Sequence, residues 1–170
     1  ASIILTTDTY GQSTKDYEVI VSGLSVPWGF TFLKDNSMLI TERSGKLIHF
    51  KNGKKITIGG VPEIYVRGQG GLMDIELHPN YDTNGWIYFS YASKDEGEKG
   101  GNTTIMRAKI KNNKLVSKEV LYKAMPNTTK GQHFGSRIAF DRKGYLYFSV
   151  GDRGNRDVNP QDITRDCGKI

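Results

Sequence analysis

Four residues of this 170-residue chain have side chains suited to shared chemistry: His133, Asp152, Gln69 and Arg137. His133 sits on the glycine-flanked loop "GQHFG", and Asp152 sits nineteen residues later in "VGDRG". Two short alternating segments and a polar turn lie between them, so one hairpin can return both side chains to the same rim. A carboxylate beside an imidazole fixes its tautomer and favours the imidazolium, which is what a general base needs. The plainer alternatives are a loop histidine satisfied by backbone and an aspartate that stabilises its own turn. Gln69 lies in "VRGQGGLMD", where glycines let the backbone approach a ligand closely; a turn-filling polar residue is the alternative. Arg137 is read either with this site or as the partner of Asp152 or Asp141. His49 and His78 fall inside strand or turn patterns and read as structural. The spacing of the three histidines suits no pair of ligands on a helix or hairpin, so no metal site is assigned.

The elements that must position these residues come in a repeat. "GFTFLKDNSMLITERSGKLIHF", "LMDIELHPNYDTNGWIYFSYA" and "SRIAFDRKGYLYFSVGDRG" each read as an alternating strand, a polar turn and a second strand rich in β-formers. Aligned on Leu39, Ile87 and Leu146, the units stand 48 and 59 residues apart. Such periods, with several strands per unit, predict an all-β fold of propeller blades. The first unit predicts strands at Gly29–Leu33, Met38–Glu42, Leu47–Lys51 and Lys54–Ile58, with Asn52-Gly53 as a two-residue hairpin turn. The second predicts Leu72–Leu77, Trp86–Ala92, Thr103–Ile110 and Lys114–Tyr122. The third predicts Arg137–Asp141 and Tyr145–Val150, with a further strand beginning at "CGKI". The units fall near residues 17–60, 61–125 and 126–170, the last incomplete. Residues 1–16 read as a disordered linker, the remnant of a signal peptide or a frayed first strand. In the propeller pattern His133 and Asp152 flank one blade's two inner strands, and Gln69 takes the matching place in the preceding unit. Glu42 and Arg43 read as a support pair near that rim, and Trp28 and Trp86 as core and inter-blade packing.

Composition narrows the function classes. Hydrophobic residues at 36% and charged residues at 25% mark a globular chain. The formal charge of +6 arises from scattered lysines at hairpin tips, such as Lys51, Lys54 and Lys55. Lysine there guards edge strands, and no basic motif interleaved with aromatics points to nucleic acid. Cys167 is the only cysteine, which excludes an internal disulfide and a thiolate zinc site. No apolar run reaches the length of a membrane-spanning helix.

The motifs "LSVPWGFTFL", "LITERSGKL", "GQGGLMDIELHPNY", "IYFSYA", "HFGSRIAFDRKGYLYFSVGDRG" and "CGKI" resemble those of the soluble PQQ-dependent glucose/sorbosone dehydrogenases, in particular the aldose sugar dehydrogenase branch. The resemblance implies a six-bladed β-propeller of which this chain is the N-terminal half. It implies that His133 is the base taking the proton of the sugar C1 hydroxyl as hydride passes to PQQ. It makes Asp152 the carboxylate holding that base, and puts Gln69 and Arg137 near sugar and cofactor. It implies calcium bound by ligands beyond Ile170, an aldose substrate, an external electron acceptor and a periplasmic or extracellular site of action. Gln132 stands where the best-known glucose enzyme of the family has an acidic residue, which favours a broader aldose range. A non-enzymatic propeller module that binds carbohydrate or protein is the rival reading. A homodimer of two half-rings is the rival to a longer parent chain. A lactonase-like metal hydrolase needs hard carboxylate and amide ligands, which His133 and Gln69 do not supply.

Overall fold

The computed structural model describes residues 18–94 and 96–170; the expectation for residues 1–16 lies outside them. Three antiparallel sheets follow one another along the chain. The first is β1 (Pro27–Phe32), β2 (Met38–Glu42), β3 (Leu47–Lys51) and β4 (Lys54–Ile58), in that order. The second is β5 (Leu72–Leu77), β6 (Ile87–Ala92), β7 (Thr103–Lys111) and β8 (Lys114–Lys123), with one helical turn, α1 (Tyr81–Asn84), between β5 and β6. The third pairs β9 (Gly135–Phe140) with β10 (Leu146–Val150). The leading strands are neighbours, β1 beside β5 and β5 beside β9, which is the radial order of blades around a propeller axis.

Local chemistry explains the pleats. Asn52 and Gly53 both take positive φ, at 50° and 72°, in the turn joining β3 to β4. That geometry matches the twist of the flanking strands. Asn112 and Asn113 do the same between β7 and β8, at 51° and 57°. β6 is buried at every residue because a blade lies on each of its faces. Ile87, Phe89 and Tyr91 pack with Leu39, Leu47 and Ile58 of the first sheet. Tyr88, on the opposite face, packs with Ile138 of the third. Trp28 and Trp86 join two of these inter-blade clusters.

Hydroxyls on the second strand of each blade stitch the sheets together. Gly29 N donates to Thr41 Oγ1 at 3.0 Å, and Thr41 Oγ1 donates onward to Met73 O in the next blade. Asp74 N donates to Ser90 Oγ at 2.9 Å, and Ser90 Oγ donates to Ser136 O at 2.7 Å. Arg137 N donates to Ser149 Oγ at 3.3 Å in the third sheet. The half of the stitch within each sheet recurs in all three units and aligns Thr41, Ser90 and Ser149.

Several predicted boundaries move. Asp141 leaves the strand because its carboxylate accepts the N–H groups of Lys143 and Tyr145, at 2.9 and 2.8 Å, and so forms the turn. "CGKI" forms a single bridge from Lys169 to Val150 rather than a strand. Asn84 draws Trp86 out of β6 by accepting its N–H at 3.0 Å.

Candidate active site

His133 Nδ1 lies 2.8 Å from Asp152 Oδ1. The hairpin of β9 and β10 does this: its two strands run antiparallel, so the loop before β9 and the loop after β10 meet at one end. His133 takes a left-handed φ of 54°, uncommon for a side chain other than glycine, Asn or Asp. Its backbone is held on both sides. His133 N donates to Gln69 Oε1 at 2.8 Å, and His133 O accepts from Arg153 N at 3.3 Å.

The hydrogen bond from His133 is the main cause holding the Asp152 carboxyl below its ordinary range, with Gly154 N–H adding to it at 2.7 Å. An ionised carboxylate only accepts, so His133 Nδ1 carries the proton of this bond and Nε2 is left as the basic nitrogen. The imidazole side chain is half exposed, at 51%. A cavity of about 300 Å³ beside it is lined by Gln132, His133, Gly154, Asn155, Arg156 and Asp157. A separate apolar groove of about 350 Å³, lined by residues such as Leu24, Trp28 and Phe30 of the first blade, holds no titratable group.

Gln69 reaches His133 from the neighbouring blade. Gln69 N donates to Gly131 O at 2.7 Å, so the two lead-in loops run against each other. Glycine is required at this seam: a Cβ on Gly68 would stand 2.2 Å from Gly131 O, and one on Gly70 2.4 Å from the Phe134 ring. The register corrects one alignment. Leu72 pairs with Tyr91 as Gly135 pairs with Val150, which sets Gln69 level with Gln132 and Gly70 level with His133.

Arg137 stands apart from the His133–Asp152 pair. It approaches neither Asp152 nor Asp141 but places Nη1 3.3 Å from Asp74 Oδ1, with its own side chain 76% exposed. Glu42 and Arg43 do not pair with each other. Glu42 Oε1 accepts from Ser25 N at 2.6 Å, whereas Arg43 Nη1 donates to the carbonyl of Gly68, next to Gln69. His78 is structural: its Nδ1 accepts from Asn80 N at 3.0 Å and its ring stacks near Tyr88. His49 Nε2 meets Ser37 Oγ at 2.9 Å. Among the described residues no three His, Cys, Asp or Glu side chains gather to hold a metal. No helix there is long and apolar enough to cross a membrane.

Sequence reasoning missed Arg153, the largest fully buried side chain among the described residues. Its guanidinium lies over the Phe134 ring, 3.4 Å from the centroid, and donates to the carbonyls of Gln132 and Lys130. Burial lowers its pKa to about 10, so it remains charged at neutral pH. The only signal in the sequence was an arginine packed between glycine-rich turns beside Asp152.

The sequence profile of the Glucose / Sorbosone dehydrogenase family matches residues 24–170. The chain is 36% identical over 162 residues to the Aldose sugar dehydrogenase YliI of Escherichia coli (strain K12), covering 93% of this chain and 43% of that protein. It is 29% identical over 154 residues to Quinoprotein glucose dehydrogenase B of Acinetobacter calcoaceticus, covering 84% of this chain and 32% of that one. The PQQ-bound form of Aldose Sugar Dehydrogenase from Streptomyces coelicolor superposes with a TM-score of 0.74 at 27% identity, covering 90% of this chain and 46% of that chain. The chain thus spans less than half the length of these relatives. With its profile match, its blades and its relatives in agreement, the chain belongs to the Glucose / Sorbosone dehydrogenase family.

Proposed function

We propose that this chain carries the base-bearing part of a PQQ-dependent aldose sugar dehydrogenase that oxidises the C1 hydroxyl of an aldose to the lactone. The observation that carries the reading is the 2.8 Å contact of His133 Nδ1 with Asp152 in a chain of this family. His133 Nε2 takes the proton of the C1 hydroxyl, and Asp152 stabilises the imidazolium that results. Gln69 fixes the backbone of the base by accepting its N–H, which leaves the amide nitrogen of Gln69 as a donor to ligand oxygens.

The residues present fit an anionic quinone in their donor set. The guanidinium of Arg137 is largely exposed, and Arg156 lines the cavity beside His133 with only a 3.8 Å contact to Asp157. Arg137, Gln69 and Arg156 are the groups of this chain that would meet the carboxylates of PQQ. When bound, PQQ supplies an ortho-quinone that takes up the C1 hydride. Calcium belongs to the same reading, with ligands contributed beyond Ile170.

Dye reduction by the full-length protein with aldoses, with and without added PQQ and calcium, tests the activity. His133→Ala should lower turnover by about 10²–10⁴-fold, the usual contribution of a positioned base. Unchanged turnover would remove His133 from the chemistry. Sugar binding without any dye reduction in the loaded wild type would favour a non-enzymatic carbohydrate module.

A further inference from the structure

Arg153 is fully buried, yet its guanidinium meets no carboxylate among the described residues. Nη1 donates to Gln132 O; Nη2 donates to Lys130 O at 2.6 Å and to Thr128 Oγ1 at 3.0 Å, with Gly101 O at 3.4 Å. Nε is buried without a partner. Removing a cation from water without a paired carboxylate is costly; the Phe134 ring, the nearby charge of Asp152 and converging dipoles offset it. Those dipoles come chiefly from residues 128–132, the segment that delivers His133. The loop and the cation therefore hold each other in place.

The grip reaches the base itself. The main-chain N–H of Arg153 donates to His133 O while its side chain donates to Gln132 O, so one residue holds the carbonyls of the two peptides that flank His133. Its preceding neighbour, Asp152, holds the imidazole. Phe134, the residue after the base, lies beneath the guanidinium. The left-handed φ of His133 is a sparsely populated conformation for a non-glycine residue, and these contacts hold it there.

We propose that Arg153 is a positioning residue: it gathers Thr128 Oγ1 and the carbonyls of Lys130 and Gln132 around one buried cation, holds His133 O through its own main-chain N–H, and so aims His133 Nε2 at its reactant. This inference rests on His133 being the base. The geometric part, that Arg153 sets the His133–Asp152 contact, stands independently.

The test uses full-length protein carrying Arg153→Met, Arg153→Lys and Thr128→Val, the last removing a single acceptor from Nη2. With 15N-histidine labelling, wild type should show His133 as the Nδ1–H tautomer, and Arg153→Met should show a mixture of tautomers. In the PQQ-loaded enzyme, Arg153→Met should lower kcat by about 100-fold, the scale of a 1 Å misplacement of a catalytic group. KM should shift far less, because the lost interaction acts in the transition state. Arg153→Lys should restore the tautomer and part of kcat, since it keeps the charge but lacks the planar fork. If Arg153→Met does not accumulate as folded protein, Thr128→Val should give a smaller change of the same kind. A folded Arg153→Met, or Thr128→Val in its place, with wild-type His133 signals and wild-type kcat would overturn the proposal. If His133→Ala keeps full turnover while Arg153→Met still disturbs the tautomer, the base reading fails and the geometric part survives.

Discussion

Asp152 Oδ1 receives two hydrogen bonds at once, from His133 Nδ1 at 2.8 Å and from Gly154 N at 2.7 Å. The second fixes the carboxylate within its own turn, so the first fixes the imidazole. The pair is rigid from the acid's side, which is the condition for a base to hold one tautomer.

Replacing that acid tests the point. Asp152→Asn offers His133 either an acceptor or a donor and no longer stabilises an imidazolium, so turnover should fall by about 100-fold or more. The pH dependence of stability should change as well. The Asp152 carboxyl titrates below its ordinary range, so its contribution to stability is present above that range and is lost as pH falls through its lowered value. Thermal midpoints of wild type and variant should therefore differ most near neutral pH and converge below about pH 4. A constant gap down to acid would show that Asp152 gains nothing from its partners on folding.

Gly151 tests the backbone of the same corner. A Cβ there would stand 2.0 Å from His133 O and 2.5 Å from its carbonyl carbon, both main-chain atoms that cannot turn aside. Gly151→Ala should cost about 1–3 kcal/mol of stability, the usual scale of overpacking. Turnover per folded molecule should fall too, because the residue displaced is His133. Urea midpoints and dye reduction check the two effects separately; a loss of stability with normal turnover would mean that the strain is relieved away from the base.

What the chain revealed before its structure follows from where the periodic forces act. The β-formers of β2 and β6, the first strands such as β5 that precede them and the Asn52-Gly53 turn are local signals, and those strands lie within a residue of where the sequence predicts. The hairpin that joins His133 to Asp152 is local in the same sense. The level of Gln69 was one residue off because a loop before a strand has no period to count by; only the pairing of Leu72 with Tyr91 sets it. Arg153 was passed over because arginines are rarely buried without a partner, and its partners are main-chain carbonyls that leave no trace in residue types. The acid that meets Arg137 was also hidden, since Asp74 lies 63 residues away in the preceding blade.

Asp74 carries the last prediction. It is buried, and its Oδ2 accepts the main-chain N–H of Ile138 at 2.8 Å across the seam between β5 and β9. Its Oδ1 faces Arg137 Nη1 at 3.3 Å. The two bonds are unequal in consequence. Asp74→Ala leaves the N–H of the buried Ile138 without a partner, at a cost of about 1–3 kcal/mol. Arg137→Ala removes only a largely exposed ion-pair partner, worth about 0–1 kcal/mol. Denaturant unfolding of both variants should therefore show Asp74→Ala as the more destabilised, with a double variant close to Asp74→Ala alone because the carboxylate is the shared element. Equal losses from the two single variants would shift the weight of the seam from the main-chain bond to the ion pair, and the inner strands would then be held by charge.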